Sequence, residues 1–174
     1  MKKLFIYLLL LFFAAAPALA ESPLLFDVLR TLDGQVYAGK MTFPKQADHS
    51  MNKPMEITVN VVSENEIRIP LKVGEDASRT WVLTRSESGV LLKHDHRHPD
   101  GTPDEVTNYG GLAAGAPPLG VELVFPADEE TAAMIPAAAT NAWSLRLSPD
   151  HSRLYYYLER DSMPRFQAVF DLES

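Results

Sequence analysis

Three of the five histidines of this chain lie within one short stretch, as His94, His96 and His98. Residues two apart on a β-strand point to the same face, so a strand here would present all three imidazoles together. Imidazole nitrogens bind zinc and copper, and two such ligands on one strand need only a third from a nearby segment. Asp100 and Asp104 follow closely and are the predicted additional ligands. The pattern therefore predicts a candidate zinc or copper site.

Other interpretations of this histidine strand stay open. It is also explained as a solvated strand end, or as the polar entrance of a site for an organic ligand. A catalytic alternative uses His94 or His96 as a general base beside Asp104 or Glu105. The chain has no Gly-x-Ser-x-Gly elbow, no His-Glu-x-x-His helix, no phosphate loop and no cysteine nucleophile. These missing motifs favour a binding protein over an enzyme.

The first 20 residues have the pattern of a cleavable secretory signal peptide. Lys2 and Lys3 precede an apolar run, and Ala18-Leu19-Ala20 is a small-x-small cleavage pattern. The apolar run is too short for a comfortable transmembrane span. The sequence therefore predicts cleavage after Ala20 and a single domain, residues 21–174, that is periplasmic or secreted.

The composition of this domain argues against several classes of protein. Without the two lysines of the signal peptide, 14 basic and 23 acidic residues remain, a formal charge of −9. An acidic domain without a Lys/Arg cluster is not expected to bind nucleic acid or anionic lipid, because both depend on phosphate neutralisation. The chain has no cysteine. Packing alone must therefore hold a domain of this size together.

A period of two residues between apolar side chains recurs through most of the domain and predicts β-strands. The nine predicted strands are residues 35–43, 55–61, 67–73, 80–84, 90–98, 121–125, 142–147, 153–159 and 165–172. Leu25, Val28, Leu29 and Leu32 recur instead at helical spacing and predict a short N-terminal helix over residues 23–32. A second short helix is predicted to start near Asp128 and run through Met134.

One short helix followed by an up-and-down run of strands resembles the lipocalin-like (calycin) barrels. Lipocalins carry Gly-x-Trp at the first strand, where this chain has Gly34-Gln35-Val36-Tyr37. The resemblance implies a mostly β, antiparallel barrel or curved sandwich that encloses a ligand cavity. Residues 100–118, rich in Gly, Pro and Asp, are predicted to form one long irregular loop at the mouth of that cavity.

A barrel of this kind predicts a binding module for a small apolar or amphipathic ligand. The aromatic residues predicted to line the cavity and stack on the ligand are Trp81, Tyr109, Trp143 and Tyr156. A metal-binding protein centred on the histidine strand is the alternative. A third interpretation is an interaction domain without a small-molecule site, which would expose an apolar patch.

Overall fold

The computed structural model describes residues 24–115 and 120–173, so the predicted signal peptide lies outside the described residues. The first element is the helix α1 (Leu24–Thr31), which confirms the predicted N-terminal helix. Leu25, Phe26 and Leu29 are fully buried on one side of it. Gly34 follows with a φ of 74°. Glycine adopts that left-handed conformation without a Cβ clash, which lets the chain leave the helix and enter the sheet.

Eleven strands follow α1. They are β1 (Val36–Phe43), β2 (Met55–Thr58), β3 (Asn60–Ser63), β4 (Glu66–Val73), β5 (Asp76–Ser86), β6 (Gly89–His96), β7 (Tyr109–Ala114), β8 (Glu122–Pro126), β9 (Asn141–Leu147), β10 (Arg153–Arg160) and β11 (Met163–Asp171). The predicted second helix is α2 (Glu129–Met134), and a 3-10 turn, Pro136–Ala138, follows it. None of the described helices is long and apolar enough to cross a membrane.

Ten of the strands form a nearly closed antiparallel barrel, in the order β7-β6-β5-β4-β2-β1-β11-β10-β9-β8. The remaining strand, β3, pairs with β4 beside this path. The mostly β, lipocalin-like barrel that the element order predicts is therefore confirmed. The two end strands, β7 and β8, meet at a seam. There the backbone N–H of Asp128, just beyond β8, donates a hydrogen bond of 2.9 Å to the carbonyl oxygen of Gly110 in β7.

The number of strands exceeds the predicted nine in two places. Val59 interrupts the predicted strand 55–61, because its N–H and C=O bond with Gln35 and Gly34 and not with a neighbouring strand. The prediction of one irregular loop over residues 100–118 is wrong for β7, which lies inside it. A Cβ on Gly111 would lie 1.7 Å from the carbonyl oxygen of Pro126. Glycine there allows β7 to approach the far side of the seam.

The barrel has two unlike ends. At one end, which we call the helix end, α1 contacts the barrel wall: the N–H of Leu25 donates to Gly120, and Asp27 forms an ion pair of 2.9 Å with Arg85. The buried side chains of α1 belong to the same core as the inward side chains of the strands. At the opposite end, the histidine end, β6 finishes at His96 and β7 begins at Tyr109.

Candidate functional site

His94 lies inside the barrel near the histidine end. β6 buries Val90, Leu92 and His94 on one face, whereas His96 on the same face is half-buried and His98, beyond the strand, is exposed. The His94 side chain is surrounded by aromatic rings. Its ring is stacked on Tyr109 at a centroid distance of 4.7 Å and lies 5.2 Å from Trp143.

The four aromatic residues predicted to line a cavity all pack in this region. Trp81 is stacked on Tyr156 at 4.4 Å, and Tyr156 meets the edge of His94 at 6.0 Å. Tyr109 and Trp143 lie 5.8 Å apart on the other side of the imidazole. We call Trp81, His94, Tyr109, Trp143 and Tyr156 the aromatic cluster. Strands from opposite parts of the sheet supply its members, since β5 to β7 contribute three and β9 and β10 the other two.

Hydrogen bonds determine the tautomer of His94. Its Nδ1 atom lies 3.1 Å from the backbone carbonyl oxygen of Tyr109, and its Nε2 atom lies 2.8 Å from the hydroxyl oxygen of Tyr156. A carbonyl oxygen only accepts, so Nδ1 carries the proton and donates. In the neutral ring Nε2 is then an acceptor, and the Tyr156 hydroxyl donates to it. Both polar ends of the buried imidazole are therefore satisfied.

Burial keeps the titratable groups of the cluster uncharged. Desolvation lowers the pKa of His94 to about 3, against a weaker opposing effect of its hydrogen bond to Tyr109. The pKa of the Tyr156 hydroxyl is raised well above its ordinary value by burial, and that of Tyr109 is raised for the same reason. The cluster is thus a neutral, hydrogen-bonded aromatic site at neutral pH.

A second hydrogen bond links the cluster to the surface of the histidine end. The Tyr109 hydroxyl lies 3.0 Å from Nε2 of His96, which is half-buried. Arg79 pairs with His96 across β5 and β6. Burial and the positive charge of Arg79 lower the pKa of His96, while nearby carboxylates oppose them. Tyr109 therefore spans from the buried imidazole to a polar group near solvent.

The five predicted metal ligands do not form one coordination set. His94 is buried and uses both ring nitrogens in hydrogen bonds, whereas His98 and Asp100 are exposed. Asp100 accepts from the N–H and hydroxyl of Thr102, and Asp104 accepts from the N–H of Val106, so both carboxylates stabilise turns. Within residues 24–115 and 120–173, no group of three or more His, Cys, Asp or Glu side chains is placed to hold a metal ion. Zinc or copper binding by this strand stays a prediction.

The aromatic cluster itself occupies the interior where a ligand cavity is predicted. Its rings contact one another. The His94 ring nitrogens bond with Tyr156 and with a backbone carbonyl, and the Tyr109 hydroxyl bonds with His96. Three grooves on the described residues lie elsewhere: two, of about 510 and 240 Å³, are on the outer wall, and one of about 300 Å³ lies beside the loop that follows β1. Because the rings contact one another, a ligand that stacks within the cluster takes the place of one of them.

The seam next to the cluster is closed by side-chain contacts that the sequence did not predict. The Thr131 hydroxyl accepts from the N–H of Gly110 and donates to the carbonyl oxygen of the same residue, at 2.7 and 2.9 Å. Lys93 of β6 reaches over β7 to Asp128 at 2.7 Å and to Glu130 at 3.1 Å. Outward-facing Lys93 and the acidic start of α2 are visible in the sequence. Only the spatial order of the strands brings them together.

Comparison with known proteins adds no relative. No protein-family model matches the chain, and no curated protein matches it. A functional assignment therefore depends on the geometry of the described residues.

Proposed function

We propose that the protein is an exported binding protein whose ligand is a small planar aromatic molecule that enters the aromatic cluster from the histidine end. The ligand takes the place of the Tyr109 ring. It stacks on His94 and Trp143, and a polar substituent bonds with His96. In the structure described above, the protein's own tyrosine occupies this place.

The observation that carries the proposal is the convergence of four aromatic side chains and a neutral imidazole at one end of the barrel, while α1 contacts the other end. Ligand sites in proteins are mostly apolar and aromatic, with a few fixed polar groups that orient the ligand. The cluster has this composition. Its polar groups are the His94 imidazole and the hydroxyl of Tyr156, which needs a partner because it is buried, and His96 lies next to the cluster.

Tyr109 is the member of the cluster best placed to move. It is the first residue of β7, and Asn108 before it has a φ of 58°, a left-handed conformation typical of a turn. Its side chain is half-buried, whereas Trp81, His94, Trp143 and Tyr156 are buried. The Tyr109 ring stacks on His94, makes tilted contacts with Trp143 and His96, and forms one hydroxyl hydrogen bond, and a planar aromatic ligand with a polar substituent can reproduce these interactions. Displacement therefore exchanges similar interactions at low net cost.

Export is the second part of the proposal and is supported by the sequence of residues 1–20 alone. The test is expression of the full chain in a bacterium, followed by fractionation and intact-mass measurement. A periplasmic or secreted product that begins at Glu21 is expected. A full-length product confined to the cytoplasm would contradict export without affecting the ligand site.

Ligand binding is tested by the fluorescence of the two tryptophans, because Trp81 and Trp143 are the only ones in the chain and both belong to the cluster. The probe is para-nitrophenol, a planar phenol that absorbs in the range of tryptophan emission. Saturable quenching of the mature wild-type protein is expected, with calorimetry giving one site per chain. The Tyr109→Ala variant should bind the probe more tightly, since the competing ring is absent.

The matched control is Tyr157→Ala, which removes a tyrosine from the outward face of β10. It should bind para-nitrophenol as the wild type does. Binding by Tyr109→Ala alone, with none by the wild type, would mean only that the substitution leaves a hole. That result, or equal quenching of both variants and the wild type, overturns the proposed site.

A further inference from the structure

The larger of the two outer-wall grooves lies on the opposite side of the barrel wall from the aromatic cluster. Its volume is about 510 Å³, within the range of small-molecule sites. It is lined by residues of β1, β11 and β10, among them Lys40, Arg153, Tyr155 and Val169. We call this the outer groove.

The strand register places these side chains next to one another. Val169 lies between Lys40 of β1 and Tyr155 of β10, because it pairs with both. Arg153 precedes Tyr155 by two residues and therefore points to the same side of the sheet. The neighbouring Tyr156 points inward to the cluster. The outer groove and the aromatic cluster are thus separate sites on the two faces of one wall.

The groove carries positive charge on an acidic protein. The ion pairs among the described residues use other cations, and neither Lys40 nor Arg153 takes part in one. The groove also contains the carboxylate of Asp171, which accepts a hydrogen bond from the N–H of Glu173. Two cations and one carboxylate leave a net charge of +1, whereas the predicted mature chain carries −9. This local excess favours a ligand with one negative charge.

Part of the groove lining is apolar. Ala38, Val169 and the Tyr155 ring are among its lining residues. The guanidinium of Arg146 lies over that ring at 4.7 Å, a cation–π contact that holds the ring in place. The aromatic or aliphatic part of a ligand can therefore pack on apolar surface close to Lys40 and Arg153.

We propose that the outer groove binds a small organic monoanion: a carboxylate held by Lys40 and Arg153, joined to an apolar body that packs on Val169 and Tyr155. This site is independent of the ligand site in the aromatic cluster.

The test is an NMR titration of the ¹⁵N-labelled mature protein with naphthylacetate, its uncharged analogue naphthylacetamide, and acetate. Saturable shifts are expected for the amides of Lys40, Tyr155 and Val169 with naphthylacetate. Naphthylacetamide, which lacks the charge, and acetate, which lacks the body, should each bind more weakly. The double variant Lys40→Gln, Arg153→Gln should lose about fivefold in affinity for naphthylacetate, because two exposed charge pairs are removed.

The matched control is Lys72→Gln, Arg165→Gln, which removes two exposed outward cations that also lack ion pairs but do not line the groove. It should keep wild-type affinity. An equal loss in the control, equal binding of naphthylacetamide, or no saturable shift at the groove residues overturns the proposal. Shifts confined to the amides of His94, Tyr109 and Trp143 would also overturn it, since they would place the anion in the aromatic cluster.

Discussion

The Nε2 atom of His94 accepts a hydrogen bond of 2.8 Å from the hydroxyl group of Tyr156 in the interior of the barrel. The direction of this bond follows from the opposite side of the imidazole, where Nδ1 must donate to a carbonyl oxygen. The carbonyl group of Tyr109 in β7 therefore keeps the imidazole proton on Nδ1, which leaves Nε2 free to accept from Tyr156 in β10. Since the two strands lie at distant places in the sheet, the imidazole ties opposite walls of the barrel together.

Tyr156→Phe should destabilise the protein by about 1–3 kcal/mol, because it leaves the buried Nε2 atom of His94 without a donor. Urea unfolding at neutral pH measures the loss. Tyr157→Phe is the control, since Tyr157 lies next in sequence but faces outward, and it should change the free energy of unfolding much less. Equal losses in the two variants would show that the hydrogen bond to His94 contributes nothing measurable.

The stability of the fold should fall on mild acidification because of His94. Its folded pKa is about 3, whereas its ordinary pKa is 6.5. Between these two pH values the unfolded chain binds a proton that the folded chain does not. Stability is therefore lost as the pH falls below 6.5, and the loss continues until the folded pKa is reached. Between about pH 7 and about pH 5 this one group accounts for roughly 2 kcal/mol.

The measurement is urea unfolding at both pH values for the wild type, for His94→Gln and for the control His98→Gln. The wild type and the His98→Gln variant should show the same extra loss at the lower pH. The His94→Gln variant starts less stable but should lack that extra loss. The same pH dependence in all three proteins would exclude His94 as its source.

The parts of the fold with a strict two-residue period could be predicted from the sequence. β4 is an example, because it buries every second side chain and exposes most of the others, and β6 buries every second side chain as far as His94. Trp81, Trp143 and Tyr156 could be placed inside for the same reason, whereas Tyr109 begins β7 and could not. β7 could not be predicted, because Gly110 and Gly111 have a low strand propensity; they allow close backbone approach to Leu92 of β6 and to Pro126 across the seam, respectively.

The relative positions of side chains from distant strands could not be predicted, because they depend on register and strand order. The spacing of the histidines predicts a shared face, and His94 and His96 do both contact Tyr109. It does not predict that Asp100 and Asp104 stabilise local turns. The outer groove likewise exists only because Lys40 and Tyr155 both pair with Val169.

The geometry of the histidine strand gives a direct expectation for metal content. The mature protein, purified without an affinity tag, should carry zinc and copper far below one ion per chain, because both ring nitrogens of His94 and the carboxylates of Asp100 and Asp104 are engaged in hydrogen bonds. A variant with His94, His96 and His98 replaced by Ala should give the same low content in elemental analysis. Near-stoichiometric metal in the wild type that is lost in this variant, but kept in a His49→Ala, His151→Ala control, would establish the metal site instead.

Closure of the barrel at the seam should depend on the missing side chain of Gly111. A methyl group there would lie 1.7 Å from the carbonyl oxygen of Pro126, so β7 and β8 must move apart in Gly111→Ala. The added Cβ is attached directly to the backbone, and the oxygen that it meets is a backbone atom, so no change of rotamer relieves the contact. We expect a loss of at least about 2 kcal/mol in the free energy of unfolding. Leu112→Ala is the control, because Leu112 is 37% exposed on the same strand, and it should cost much less.

Hydrogen exchange then locates the effect: the amide of Gly110, bonded to Thr131, should exchange faster in Gly111→Ala, while amides of β4 keep their protection relative to global stability. Wild-type stability in Gly111→Ala would mean that β7 and β8 do not approach this closely in solution.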